Sequence, residues 1–387
     1  MLMDNISIVN EQCVGCRSCE QVCPVRCISI GENHEGFLYP LVDKDVCIRC
    51  GKCIKCCPVK NLDLHRNQPK EVWALTNTDI EDIMNSASGG ASDILVRAML
   101  ENDGFAFGAA YDENLHVHHI EIETIDDAYK LQSSKYVQSD TEDVYTRIKN
   151  CLIAGEKVLF TGTPCQVSGL YSYFGGDKEN LYTLDLICHG VPSPKFFRKY
   201  VEYEEKKLGG KLIYYNFRSK EKRGWGTQYL LKTKTKTKTK TNILSLDRYG
   251  KHFIESDCFR ECCYKCPYSN TDRVGDITIG DFWGILKSHP DFFTPKGVSS
   301  VFVNTEKGEK LVNIIKKNGK VEKATLQEGM MKQGNLVRSS ARPVSRDHFY
   351  DSIDEPGFIE NLKVGLAIKD RVKSVIPASV VRIMKRI

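Results

Sequence analysis

From residue 71 onward, apolar and polar positions follow two alternating periods, one typical of strands and one typical of helices. The segments "EVWALTN" (71–77), "GFAFGAAYD" (104–112) and "HVHHIEIET" (116–124) predict strands, the last two paired as neighbours. Between them, "SGGASDILVRAMLEN" (88–102) predicts a helix, because Ile94, Leu95, Ala98 and Met99 recur at helical spacing. This half of the chain therefore mixes strands and helices in sequence.

The alternation continues through the middle of the chain. "TEDVYTRIKNCLIAG" predicts a helix that ends at Gly155, and "SPKFFRKYVEYEEKKLGG" predicts one that is capped by Ser193. "KVLFTG" (157–162) and "NLYTLDLI" (180–187) predict buried strands with the helix "QVSGLYSYF" between them. A strand, a helix and a strand in succession predict two parallel strands joined by a right-handed crossover.

Further strands are expected at "KLIYYNFRSK", over residues 228–246 as one long strand, at "DITIGDFWG" and at "SVFVNT". The expected fold is an α+β ferredoxin-like domain over residues 1–66, followed by an α/β domain with a largely parallel or mixed sheet over residues 71–350. A short strand and turn are expected at "FLYPLVDKDV" in the first domain. Residues 351–387 are expected to form a helical basic tail.

Composition narrows the function classes. The 387 residues are 41% hydrophobic and 27% charged, which is ordinary for a globular protein, and a net charge of +5 is too small to indicate nucleic acid binding. The sequence has no apolar run of the roughly 18 residues that span a bilayer, and its start lacks the apolar region of a secretory signal. Seventeen cysteines without such a signal indicate metal ligands in a reducing cytoplasm.

Two basic segments have several interpretations. In "KTKTKTKTKT" (232–241), strand alternation would place all lysines on one face. That face is either a solvated edge strand, a docking face for an acidic electron carrier, or a repeat without a role. The last twenty residues, interrupted by Pro377, are expected either to pack on the protein's own body or to make a weak membrane-surface or partner contact.

Eight cysteines near the start form two C-x2-C-x2-C-x3-C-P runs, "CVGCRSCEQVCP" and "CIRCGKCIKCCP". In two-cluster ferredoxins the fourth cysteine of each run ligates the other cluster. We therefore predict one 4Fe-4S cluster at Cys13, Cys16, Cys19 and Cys57, and another at Cys47, Cys50, Cys53 and Cys23. Zinc is the alternative, but it favours one set of four ligands with a longer central spacing. Cys27 and Cys56 are expected to be packed thiols.

These runs resemble bacterial dicluster ferredoxin domains. The longer segment resembles the beta-subunit family of coenzyme F-420 hydrogenases and dehydrogenases, from about residue 71 to 350. Six motifs support this resemblance: "SGG" (88–90), "SKYVQSD" (134–140), "TGTPCQVSGL" (161–170), "DLICHGVPSP" (185–194), "FRSKEKRGWG" (217–226) and "CYKCPYSNTDRVGDITIGDFWG" (263–284). The resemblance implies FAD, an iron–sulfur cluster, and hydride exchange with a deazaflavin or a related substrate. Some relatives accompany polysaccharide-biosynthesis genes, so the substrate stays undetermined.

Electron counting also favours a flavin, because each cluster holds one electron and a flavin exchanges one or two. The helix start at Ser88, Gly89 and Gly90 could bind a phosphate. Lys135 and Gln138 could contact a pyrophosphate or the ring edge, and their alternative is surface polarity. The remaining candidates for cofactor or substrate binding are Thr163, Arg218 and Trp225. No catalytic residue is singled out.

A third 4Fe-4S cluster is predicted at Cys165, Cys188, Cys263 and Cys266. Cys165 and Cys188 follow two adjacent parallel strands, where ligands collect in such sheets, and "CYKC" adds two ligands at a chelating spacing. Cys258 and Cys262 are the alternative ligands. A zinc site at 258–266, a nucleophilic Cys165 near His189, and simple buried thiols are the other interpretations.

Three functions are compatible with these features. The first is a flavin and iron–sulfur oxidoreductase between a one-electron carrier such as ferredoxin and a small two-electron substrate. The second is an electron-relay subunit for a partner enzyme, and the third is a metal-stabilised interaction protein associated with glycan assembly. A radical-SAM enzyme is excluded, because no C-x3-C-x2-C run occurs in the chain.

Overall fold

The computed structural model describes residues 4–234, 239–362 and 364. Its strands are β1 Ile28–Glu32, β2 Leu38–Val42, β3 Glu71–Asn77, β4 Phe105–Tyr111, β5 Val117–Ile122, β6 Val158–Gly162, β7 Leu181–Leu186, β8 Leu212–Asn216, β9 Gln228–Thr233, β10 Thr239–Ile243, β11 Ile277–Asp281, β12 Ser299–Val303 and β13 Gly319–Ala324. Its α-helices are α1 Ser18–Gln21, α2 Lys52–Lys55, α3 Ile80–Asn85, α4 Ala91–Leu100, α5 Val144–Ile153, α6 Pro164–Phe174, α7 Pro194–Leu208, α8 Arg248–Glu255, α9 Ile285–Ser288, α10 Glu306–Asn318, α11 Leu326–Met330, α12 Ser345–Asp351 and α13 Phe358–Asn361.

The N-terminal domain is a small two-layer unit. Strands β1 and β2 pair antiparallel, and the short helices α1 and α2 contact each other beside them. Its buried hydrophobic cluster has eight residues, of which five are cysteines packed around Ile6, Val9 and Ile28. The strand expected in "FLYPLVDKDV" is β2.

An eight-stranded sheet forms the centre of the large domain, in the order β13-β3-β12-β11-β7-β6-β4-β5. The four strands β11, β7, β6 and β4 run parallel, and antiparallel strands flank them on both sides. The predicted parallel pair is β6 and β7, with α6 between them in the chain. The sheet is therefore mixed, with a parallel centre whose carboxyl ends lie at one edge.

Side chains that alternate along the strands build a core on each face of this sheet. Leu159 in β6 packs with the helices α4 and α10, which contact each other. Its neighbours Val158 and Phe160 face the opposite side and pack with α5 and α6. The helix ends follow the sequence as predicted: the Ser193 hydroxyl accepts from the Phe196 N–H at 3.2 Å, and Gly155 has a φ of 85° just after α5.

The single long strand predicted over residues 228–246 is wrong. The chain instead forms two strands, β9 and β10, which pair antiparallel with Thr239 opposite Lys232, and β8 completes this three-stranded sheet. The chain therefore reverses direction between Lys234 and Thr239, inside the Lys-Thr repeat, and residues 235–238 lie outside the described residues. The predicted lysine face along one continuous strand does not form.

A third core consists mainly of aromatic rings and extends beyond residue 350. It contains Phe196 and Tyr249 of the large domain, Phe37 of the N-terminal domain, and Phe358 and Ile359 near the end of the described chain. Residues beyond 350 thus pack in this aromatic core. The rest of the expected basic tail, residues 365–387, lies outside the described residues. None of the helices in the described part of the chain is both long and apolar enough to cross a bilayer.

Candidate metal and cofactor sites

The first cysteine group is Cys13, Cys16, Cys19 and Cys57. These four side chains line one cavity of about 360 Å³ in the N-terminal domain. The pKa of Cys16 is raised to about 12, mainly by burial and next by the neighbouring Cys57, with a smaller contribution from Cys13. Crowded, desolvated thiols of this kind favour a metal ion, which binds them as thiolates and neutralises their charge.

The second cysteine group is Cys23, Cys47, Cys50 and Cys53, which line a separate cavity of about 320 Å³. Cys50 is exposed, so this group lies at the protein surface. In both groups the fourth cysteine comes from the other motif, because the chain returns through β1 and β2 between the motifs. Cys27 is buried beside the second group, 3.5 Å from the Cys23 sulfur, and Cys56 is buried with its thiol donating to the Cys53 carbonyl.

The third cysteine group lies at the carboxyl edge of the large sheet and consists of Cys165, Cys188, Cys262 and Cys266. Burial raises the pKa of Cys165, and Cys188 and Cys266 add to the rise. Burial also raises the pKa of Cys188 to about 12, with Cys266 the next cause. Four half-buried thiols from three separate segments of the chain therefore act electrostatically on one another.

In the structure the alternative ligand Cys262, rather than the predicted Cys263, is the cysteine of its segment that faces the other three. Cys262 contributes to the raised pKa values of Cys165, Cys188 and Cys266. Cys263 instead contacts the Cys262 thiol and packs against the aromatic core. Both cysteines lie in a short 3-10 helix, Glu261–Lys265, in which consecutive side chains point about 120° apart. Cys258, the other alternative ligand, is fully buried in the aromatic core.

Helix α6 holds Cys165 in place at its first turn. Thr163 caps this helix in a reciprocal arrangement with Gln166, and Pro164 occupies the first helical position. The Thr163 hydroxyl also lies 3.2 Å from the Cys165 sulfur. Thr163, predicted as a cofactor contact, therefore lies at the third cysteine group.

The same helix connects the third cysteine group to the first. A Cβ atom on Gly169 would lie 2.9 Å from the Cys16 sulfur, so the helix approaches the first group as closely as a glycine allows. The Ser18 hydroxyl donates to the Gly169 carbonyl at 2.7 Å. Arg260 forms a second connection, because its Nε donates to the Cys13 carbonyl at 2.6 Å and its guanidinium lies beside the Cys262 thiol. The two cysteine groups are thus joined by packed, buried protein.

Arg218 and Trp225 lie together at the end of β11. Arg218 forms two hydrogen bonds with the Asp281 carboxylate, at 2.8 and 2.7 Å, and the Trp225 indole donates to the same carboxylate at 2.5 Å. The Trp225 ring stacks on Trp283 with centroids 5.0 Å apart. Both predicted residues are buried, and they form the wall of this edge of the sheet.

The predicted phosphate site at residues 88–90 is partly occupied by internal hydrogen bonds. The Gly89 N–H donates to the Ser299 hydroxyl at 2.9 Å, and the Ser88 carbonyl accepts from the Lys220 ammonium. Gly89 therefore does not offer its N–H to a phosphate, contrary to the prediction. Gly90 keeps a φ of 89° at the start of α4, which suits glycine.

Two lysines, of which Lys220 contacts this turn, lie in desolvated settings. Burial lowers the pKa of Lys220 to about 7, with nearby Arg218 the next cause, and burial alone lowers the pKa of Lys135 to about 7. Each ammonium donates to backbone carbonyls, and no carboxylate of the described residues lies within salt-bridge distance of either. Lysines held in this way fit an anionic ligand such as a pyrophosphate. Lys220 lies inside the motif "FRSKEKRGWG" but was not predicted as a site residue.

Gln138 lies elsewhere, at the joint between the two domains. Its Oε1 accepts from the Leu38 N–H and from Arg260, each at 3.3 Å. Its Nε2 is buried against Gly15, in the loop that holds the first cysteine group. In the structure Gln138 thus contacts the first cysteine loop, and its contact with a pyrophosphate or the ring edge stays a prediction.

Comparisons with known proteins agree with both resemblances. Residues 155–329 match the family model described as the C terminus of the coenzyme F-420 hydrogenase/dehydrogenase beta subunit, and residues 12–61 match that of the 4Fe-4S dicluster domain. A chain from the F-420-reducing NiFe hydrogenase complex of Methanosarcina barkeri aligns with a TM-score of 0.47 and 18% identity, over 70% of this chain and 90% of that one. No curated protein matches the chain.

Proposed function

We propose that this chain, an iron–sulfur protein related to the beta subunit of coenzyme F-420 hydrogenases and dehydrogenases, is an oxidoreductase that connects a one-electron carrier to a two-electron substrate. Its cofactors are three 4Fe-4S clusters and FAD. The clusters would supply one-electron transfer, and the flavin would supply the exchange between single electrons and hydride. The substrate class is a deazaflavin of the coenzyme F-420 type or another small two-electron compound, and a link to polysaccharide biosynthesis stays open.

The spatial order of the three cysteine groups is the observation that supports this function. The second group begins at the surface with Cys50, and the first group lies behind it in the same small domain. Gly169, on the helix that holds Cys165, then contacts the first group at Cys16. This order leads from a surface that a carrier protein can reach to the carboxyl edge of the large sheet, where α/β proteins bind their ligands.

The residues around the carboxyl edge suit a flavin in two respects. Lys135 and Lys220 are cations without a carboxylate partner in the described structure, and a flavin dinucleotide would provide the missing negative charge. The stacked Trp225 and Trp283 rings form a rigid apolar wall beside Arg218 and Asp281. These residues would orient the cofactor and exclude water from it.

An electron-relay subunit is the second candidate function. It is favoured by the internal hydrogen bonds of the 88–90 turn, which withdraw Gly89 from a dinucleotide. In that case the flavin would lie on a partner chain. All seventeen cysteines are free thiols in the structure, which suits either function in a reducing cytoplasm.

The deciding experiment is an assay of iron, sulfide and flavin on the anaerobically purified full chain. We expect about twelve irons per chain, from three clusters of four, and one tightly retained FAD. Cys262→Ser should lose about four irons, whereas the adjacent control Cys263→Ser should lose none. Full iron without flavin after reconstitution with FAD would favour the relay subunit. An iron content of about eight that is indifferent to Cys262→Ser would exclude the third cluster.

A further inference from the structure

Four arginines are buried almost completely in the described part of the chain, and one of them differs from the rest. Three form ion pairs with a carboxylate at 2.6 to 2.9 Å, namely Arg218 with Asp281, Arg273 with Asp185 and Arg346 with Glu35. The fourth, Arg260, is 1% exposed, and no carboxylate of the described residues lies within salt-bridge distance of it. A buried charge without a counter-charge is costly, so this exception requires an explanation.

The neutral groups around Arg260 hold its guanidinium in a fixed orientation. Its nitrogens donate to the carbonyls of Cys13 and Leu38, at 2.6 and 2.9 Å, and to the Gln138 Oε1 at 3.3 Å. The guanidinium also lies 4.0 Å from the centroid of the Tyr39 ring. These contacts satisfy its hydrogen bonds but supply no negative charge.

Cysteines of two groups lie on two sides of Arg260. Its Nε donates to the carbonyl of Cys13 in the first group, and Cys262 of the third group is the next strongest neighbour of its guanidinium after Cys13, so both would act on it as thiolates. Arg260 also precedes Cys262 by two residues, and its backbone N–H is fixed to the Val191 carbonyl at 3.0 Å. The side chain thus lies between the two cysteine groups, with one ligand of each within its reach.

We propose that Arg260 is a shared counter-charge for two iron–sulfur clusters, held at the first and third cysteine groups, and that it raises the reduction potential of both. This inference rests on the proposed function, because it requires both clusters. A cluster with four thiolate ligands is negatively charged, and each reduction adds one electron to it, while Arg260 gains or loses no proton. Net charge and hydrogen bonding near the ligands set the potentials of such clusters.

The second cysteine group provides an internal reference. It lies at the surface, where water screens charges, and Arg260 contacts none of its cysteines in the described structure. Arg260 should therefore affect the potentials of two clusters out of three. A structural effect of the substitution would not select clusters in this way.

The test is a redox titration of the anaerobic full chain, followed by EPR, with Cys57→Ser and Cys262→Ser used to assign the first and third clusters. Arg260→Gln should lower both midpoint potentials by about 59 mV or more. For a one-electron reduction, this shift is a tenfold or larger decrease in the equilibrium constant. Arg260→Lys keeps the charge and should restore most of the potential. The control Arg66→Gln removes a cation that donates to the Pro267 carbonyl, beside Cys266, and should change the potentials less.

Unchanged potentials of both clusters in Arg260→Gln would overturn the inference, as would an equal shift in all three. If Arg260→Gln loses iron, the Arg260→Lys variant decides between the two interpretations. Retained iron with a nearly normal potential in Arg260→Lys supports the role of Arg260 as a counter-charge. Equal loss of iron in both variants indicates only a structural role. If the unsubstituted chain holds no clusters, the proposed function itself fails. The two failures are therefore distinguishable.

Discussion

The N-terminal domain and the large domain use cysteines in opposite ways. In the small domain, cysteines are five of the eight buried residues of the hydrophobic cluster, so the packed interior and the metal sites share side chains. In the large domain, two cores cover the sheet with aliphatic and aromatic side chains, and the third cysteine group lies at the edge of the sheet. A domain as small as the first cannot bury enough apolar surface to be stable without such ligands.

The difference teaches where cysteine spacing is informative. In the small domain, each motif provides three ligands within seven residues, so the sequence itself brings the sulfurs together. In the large domain, the parallel pairing of β6 and β7 brings Cys165 and Cys188 together, and a distant segment adds the other two. Loss of metal should therefore unfold the first domain and leave the large sheet intact.

The largest expected effect is the loss of one cluster in Cys57→Ser. This change should empty the site of Cys13, Cys16 and Cys19, although those residues lie in the other motif, and remove about four irons per chain. EPR of the reduced protein checks the result, with Cys50→Ser as the reference for loss of the second cluster. The neighbouring Cys56→Ser is the control and should keep all iron. Loss of the Cys47 site in Cys57→Ser would contradict the crossed arrangement.

The next effect is at the joint between the two domains. Phe37→Ala should lower the free energy of unfolding by about 3–5 kcal/mol, because the ring is completely buried in the aromatic core of the large domain. Anaerobic urea denaturation measures the change. The control is Leu41→Ala, because Leu41 lies on β2 of the same domain and is 58% exposed. This substitution should change the free energy of unfolding by less than about 0.5 kcal/mol. Equal effects would mean that the domains do not share a core.

A smaller effect concerns the charges that the large domain buries. The folded-state pKa of Lys220 is lowered to about 7, so the unfolded chain binds more protons between pH 7 and the ordinary lysine pKa of about 10.4. Lys220 therefore destabilises the flavin-free protein most below pH 7, and this penalty decreases as pH rises. Lys220→Met should therefore be more stable than the unsubstituted chain. The difference between their free energies of unfolding should shrink by at most about 1.4 kcal/mol per pH unit as pH rises. Denaturation from pH 6 to 9.5 measures this difference, and a difference that stays constant would contradict the lowered pKa of Lys220.

The smallest expected effect tests the comparison between the two domains with a substitution that changes no cysteine. Ser193→Ala removes the cap of α7, whose Arg198 forms an ion pair with Glu32 of the first domain at 2.7 Å. The free energy of unfolding should fall by about 1 kcal/mol. Iron content should stay unchanged, because no cluster ligand lies on α7. A loss of iron would show that the small domain depends on this helix as well as on its own cysteines.

Sequence reasoning predicted most of the fold and part of the sites, for physical reasons. Strand alternation and helix caps are local, so β3, α5 and α7 lie where the pattern placed them. The repeat at 232–241 has the alternation of a strand along its whole length, so nothing in it indicates that the chain reverses there. The choice between Cys262 and Cys263 depends on the direction of each side chain in a 3-10 helix, which spacing does not reveal.

The buried charges were the least predictable part of the sites. Lys220 and Arg260 look like ordinary surface residues in the sequence, and only the folded structure shows that they lack carboxylate partners among the described residues. Gln138 was expected at a cofactor because it lies in a family motif, but its contacts are with the other domain. A motif can thus mark a joint between domains as well as a ligand site.

The small domain packs against residues that follow it by about 300 positions in the chain, and this has a consequence for protein synthesis. Arg346 forms an ion pair with Glu35, 311 positions earlier, and the Tyr350 ring packs on Phe37. On the ribosome, the N-terminal domain therefore emerges long before its anchoring partners exist. Its cysteines are accessible to the cell's cluster-delivery proteins throughout that interval, and docking onto the large domain covers the first cysteine group only after residue 350 has been synthesised.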